Sequence, residues 1–173
     1  VYHASLGNTK ALYLNGTSAS STETAFWNST SPTSSVFSVG TANDTNGSGS
    51  TYIAYAFAEK TGYSKFGSYT GNGNNDGAFV YLGFKPAFFL IKRTDSSESW
   101  IMTDSKRGYP QSWYYVLADT IGAEDAGGLP YDFLSNGVKF RGATQNGSGA
   151  TFVYMAFAEA PLVGTNNVPC TAR

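Results

Sequence analysis

Two stretches of the chain repeat each other at an offset of 100 residues, and both have the composition of a strand covered on two sides. Residues 46–59 read Asn-Gly-Ser-Gly-Ser-Thr-Tyr-Ile-Ala-Tyr-Ala-Phe-Ala-Glu, and residues 146–159 read Asn-Gly-Ser-Gly-Ala-Thr-Phe-Val-Tyr-Met-Ala-Phe-Ala-Glu. Nine of the fourteen positions are identical. Successive side chains of a strand point to opposite faces. In the first copy one face carries Ile53, Tyr55 and Phe57, and the other carries Tyr52, Ala54, Ala56 and Ala58. Both faces are apolar, which suits a central strand between two layers. The offset extends to the N-terminus, where Val1–Ser5 falls opposite Ile101–Ser105. The simplest division is therefore the last part of one repeat unit over residues 1–59, a complete unit over 60–159 and a tail over 160–173. A single sandwich whose halves arose by duplication is the alternative.

Apolar residues elsewhere alternate, or run in short blocks, between clusters of Gly, Asn, Ser and Pro. This is the pattern of strands and turns. Strands are predicted near 11–15, 35–40, 51–59, 64–70, 78–84, 87–94, 98–104, 113–118, 137–142 and 150–158. Pro86 has no N–H for a ladder and belongs at a strand start. Residues 119–130 read as a loop or one helical turn. The expected fold is all-β, an antiparallel β-sandwich or jelly-roll-like arrangement of about ten strands.

Composition narrows the function. Charged residues make up 13% of the chain and aromatic residues 16%, against about 25% charged in an average soluble domain. Ser, Thr, Asn and Gly must cover most of the surface, as in extracellular or particle-borne β proteins. The net charge is −1 and the 11 basic residues form no stripe, so nucleic acid is not an expected partner. No apolar run approaches the ~18 residues of a membrane helix, and no membrane insertion is expected. The lone Cys170 excludes an internal disulfide and a Cys-rich zinc site.

Candidate chemical sites compete with simpler roles. Residues 44–49 and 72–77 have the oxygen-rich, Gly-punctuated look of calcium loops, but the twelfth position is Tyr55 or Gly83 instead of a carboxylate. Asn-Gly and Asp-Gly are first of all turn formers, and no metal or other cofactor is assigned. His3 is the single histidine, which argues against a Ser-His-Asp triad. Glu98, Asp104, Asp119, Glu124, Asp125 and Asp132 could supply a glycosidase pair, yet they fall where solvated carboxylates are expected, so no catalytic residue is assigned. Glu59 and Glu159 occupy equivalent repeat positions and read as strand ends. Asn-x-Ser/Thr sequons stand at Asn15, Asn28, Asn43, Asn46 and Asn146. The remaining candidates are aromatics, which either stack on sugar rings or fill a core or interface. Trp113, Tyr114 and Tyr115 are the chosen receptor or glycan contact, because consecutive strand side chains cannot all face one core.

Four segments carry a family resemblance: 27–40, 62–73, 83–94 and 132–137, with Phe157-Ala158-Glu159-Ala160-Pro161 closing the series. Together they resemble a domain of unknown function found in virion structural and tail-fibre proteins of marine phages, where it often follows a lectin-like sandwich domain. The resemblance implies a virion location and no catalytic residues. The expected function is a non-enzymatic tail-fibre or receptor-contact module. Its expected partners are other copies of itself, as a trimer or other symmetric assembly, further virion proteins and host-surface glycan. A capsid decoration protein, a secreted filament subunit and a polysaccharide depolymerase are the competing readings.

Overall fold

A computed structural model of the chain describes residues 1–107, 114–127 and 129–160, with the backbone of two short strands beyond them. In chain order the elements are β1 (Lys10–Ala11), β2 (Ser21–Thr22), a single helical turn α1 (Asn43–Asn46), β3 (Ser64–Thr70), β4 (Phe79–Tyr81), β5 (Pro86–Arg93) and β6 (Ile101–Asp104). They continue with β7 (Val116–Leu117), β8 (Tyr131–Leu134), β9 (Gly137–Phe140), β10 (Thr151–Ala158), β11 (Leu162–Val163) and β12 (Pro169–Cys170). Every strand pair is antiparallel. The larger sheet runs β3-β10-β5-β6-β7 and the smaller β4-β9-β8.

The two sheets pack face to face. Phe89 of β5 meets Tyr131 and Phe133 of β8 edge-on, at centroid distances of 6.1 and 6.3 Å. Tyr69 of β3 stacks between Phe140 and Phe152, 4.9 Å from each. Thr103 and Tyr131 join the layers through a buried 2.7 Å hydrogen bond. The chain is thus an antiparallel, sandwich-like all-β protein.

β10 is the central strand, between β3 and β5. Tyr154, Ala156 and Ala158 face the core between the sheets, and Gly67 on β3 leaves room for the Tyr154 ring, whose hydroxyl a Cβ there would meet at 2.6 Å. Val153 lies on the opposite face and packs with Leu12, Trp100 and Leu90. Residues 1–20 lie across that second face, held there by polar anchors. Trp100 Nε1 donates to the Tyr13 carbonyl at 2.8 Å. The fully buried Lys92 donates through Nζ to the carbonyls of Thr17 and Arg93, at 3.0 and 2.9 Å. Burial pushes its ammonium below the ordinary lysine range, and nearby Glu98 and Asp119 oppose that shift. Lys92→Ala removes both bonds and strands the Thr17 carbonyl, so a loss of about 2–3 kcal/mol is expected in chemical denaturation.

The expected strands at 64–70, 87–94 and 150–158 match β3, β5 and β10 within a residue, and β5 begins at Pro86 as its missing N–H requires. Others are shorter than expected: 11–15 shrinks to β1, and 113–118 retains β7. Residues 35–40 and 51–59 make no strand, and residue by residue 51–59 is exposed. β8 was not expected. Its four residues alternate two buried aromatics, Tyr131 and Phe133, with half-buried Asp132 and Leu134. That alternation is too short to stand out from the loop before it.

Candidate assembly surface

The two repeat copies begin with the same turn. Ser50 N–H donates to the Gly47 carbonyl at 3.1 Å, and Ala150 N–H donates to that of Gly147 at 3.0 Å. The third residue of each turn has positive φ, +75° at Gly49 and +74° at Gly149, where Gly is free of the Cβ clash. From these matching turns the copies diverge. Residues 151–158 enter the middle of the large sheet, whereas 51–58 run over the surface without a partner strand.

The result is an exposed apolar strip. Ile53 is 82% exposed and Tyr55 is 83% exposed. Phe57 anchors the strip, its ring 6.3 Å from Phe66 and 5.8 Å from Phe157. Tyr63 and Phe88 also contact Phe157, at 5.9 and 6.1 Å. These rings sit on the outer face of the β3-β10-β5 sheet, beside a shallow hollow lined by Ala56, Ala58 and Ser64. Of the fifteen large hydrophobics exposed among the described residues, eleven lie within residues 1–63. Apolar patches of this kind mark interaction surfaces. The residue types of the strip were legible in the sequence, but its exposure was not.

Trp113 lies outside the described residues. Tyr114 is 39% exposed, while Tyr115 is half-buried against the core. The Tyr115 hydroxyl donates to Asp125 Oδ2 at 2.8 Å. Burial, and then that carboxylate, raise its pKa above the ordinary tyrosine value.

Each candidate carboxylate has a structural partner. Glu98 accepts from Gln145 Nε2 at 2.9 Å, Asp119 from the Trp100 N–H at 2.8 Å and Asp132 from Arg141 Nε at 2.6 Å. Arg107 bridges Asp104, at 2.8 Å, and Glu124. Asp125 is held by Tyr115. His3 Nε2 is paired with the Tyr154 carbonyl at 3.1 Å, and burial lowers its pKa despite that bond.

The 72–77 loop is folded around a buried amide. Asn146 is fully buried. Its Oδ1 accepts from the N–H groups of Asn72 and Ala78, at 3.1 and 3.3 Å. Its Nδ2 reaches Asn72 Oδ1, the Asn74 carbonyl and the Gly142 carbonyl, at 2.9, 3.0 and 3.0 Å. Asp76 pairs with Lys139 at 2.6 Å. The loop oxygens are therefore engaged as in a turn, and Asn146 cannot present its amide to a glycan. In the 44–49 segment, α1 replaces the calcium-loop pattern and Tyr13 donates to Asp44 over a long 3.4 Å. Among the described residues no group of three or more His, Cys, Asp or Glu side chains could hold a metal ion, and no helix is long and apolar enough to cross a membrane.

The family described as Domain of unknown function (DUF7483) matches residues 1–161. The chain belongs to that family. No curated protein and no solved structure matches it. The DUF7483 match spans the exposed strip and the sandwich together, so residues 51–58 and the sheet beside them lie within one family domain.

Proposed function

We propose that this DUF7483 chain is a non-enzymatic structural component of a phage particle, acting as a tail-fibre or receptor-contact module in a symmetric homo-oligomer. The observation that carries the reading is the apolar strip from Tyr52 to Phe57, continuous with the Phe66–Phe157 ring cluster. Such a strip is costly to leave in water and is satisfied by protein association. The 13% charge content leaves a surface suited to hydrogen bonding and ring stacking, as glycan contact needs. Tyr114, with Tyr115 and Trp113, is the contact assigned to a glycan, and weak sites of that kind gain strength through multivalency. The hundred-residue repeat is read as a duplicated unit, with 1–59 as the closing part of the first.

The test is an image of the intact particle at a resolution that traces this chain. Trimers at a fibre end, with residues 71–77 and Tyr114 outward, are expected. Copies tiling a capsid would replace this reading with a decoration protein, and copies running along a filament would replace it with a filament subunit.

A further inference from the structure

We propose that residues 51–56 are a donor strand that pairs with the open edge of β3 in a second copy of this chain. The inference deepens the self-association part of the function proposed above and does not need the particle role. The repeat suggests the pairing, because β10, the matching copy, shows which face of this sequence lies with which face of β3. β10 pairs with β3 antiparallel over seven residues, Thr151 facing Thr70 and Phe157 facing Ser64. Carried over to the opposite, outer edge of β3 at the hundred-residue offset, the same pairing would set Thr51 opposite Thr70, Ile53 opposite Ser68 and Tyr55 opposite Phe66. That register places Tyr52, Ala54 and Ala56 on the side of Tyr69, Gly67 and Lys65, as in the buried copy.

While the Lys60–Ser64 bridge is made, the chain does not reach this register with its own β3. Lys60 pairs with Ser64 across a tight turn at 61–63, with N···O distances of 3.1 and 2.9 Å. Continuing that hairpin would set Ala58 opposite Phe66 and Ala56 opposite Ser68. The two registers differ by three residues, an odd number, and an odd slip sends every side chain to the other face. The segment does leave β3 after the Lys60–Ser64 bridge.

The acceptor follows from the sheet order. β10 already fills the space between β3 and β5, and β6 covers the far side of β5. The long open edge of the sheet is the outer side of β3, and unpaired edges recruit strands. Phe57 remains on its own ring cluster and marks where the donor departs. Each copy carries one donor and one acceptor, so the contact closes reciprocally as a dimer, as a ring such as a trimer, or runs on as a filament.

The test places cysteines at exposed positions in a Cys170→Ser background. Ile53→Cys and Ser68→Cys chains, mixed, should form a disulfide between the two variants faster than either forms one with itself. Light scattering should show an oligomer at micromolar concentrations. Tyr55→Asp should weaken association by about tenfold or more and leave unchanged the thermal midpoint of the chain diluted below its association range, because Tyr55 is exposed and not part of the core. An Ala56→Cys, Ser68→Cys double variant that closes within a monomer would overturn the proposal in favour of the self-hairpin. A monomer without the 53–68 disulfide, or an oligomer indifferent to Tyr55→Asp, would also overturn it and leave the particle role to imaging.

Discussion

Asn146→Ala is expected to destabilise the chain by about 3–4 kcal/mol, while Asn46→Ala at the matching repeat position costs about 1 kcal/mol or less. The difference lies in what each amide holds. Asn146 is fully buried and satisfies two N–H groups, one side-chain oxygen and one carbonyl of the 72–78 segment, together with the Gly142 carbonyl. Truncation removes those bonds and leaves backbone groups buried without partners, which costs more than the bonds contribute net. Asn46 is exposed, and its side chain makes one bond, 2.8 Å long, to the Gly40 carbonyl. Urea denaturation of the two variants measures the contrast. Equal losses would show that the 72–78 loop does not depend on Asn146.

Stability should also fall steeply above about pH 10, where the tyrosines of the unfolded chain ionise. Burial raises the Tyr154 phenol to about 12, with Glu59 adding to the shift. Burial raises Tyr69 and Tyr131 as well, the latter against a hydrogen bond from Thr103 that favours ionisation. A raised folded pKa means that the native state keeps its proton while the unfolded state loses it. The contribution is complete below about pH 10 and disappears as pH rises through the folded pKa. For Tyr154 alone, a rise from 10.0 to about 12 corresponds to roughly 3 kcal/mol. Lys92 acts in the opposite sense. Its folded pKa is lowered, so its contribution improves as pH approaches the lysine range from below. One lysine does not offset three buried tyrosines. Denaturation curves at intervals between about pH 9 and pH 12, read beside tyrosinate absorbance, should show stability lost as ionisation begins. A flat profile across that range would mean the three phenols are hydrated in the folded protein.

The sequence by itself determined the class of fold and the positions of its strongest strands. Alternation along 64–70, the apolar block behind Pro86 and the two-sided strand at 151–158 each reflect a local period of two, which is written in consecutive residues. Turn chemistry was equally local: Asn-Gly-Ser-Gly builds the same turn at 47–50 and at 147–150. Short strands were poorly legible because four alternating residues, as in β8, do not rise above a loop. The tertiary structure decided what the two similar segments become. Residues 51–58 and 151–158 follow the same turn and share half of their residues, yet one is the centre of a sheet and the other lies in solvent. A strand is completed by its neighbours, and β3 and β5 offer a single place between them, which β10 occupies. The same reason separates Asn46 from Asn146, and it turned Lys92, an ordinary charge in the sequence, into a buried clamp on the Thr17 carbonyl.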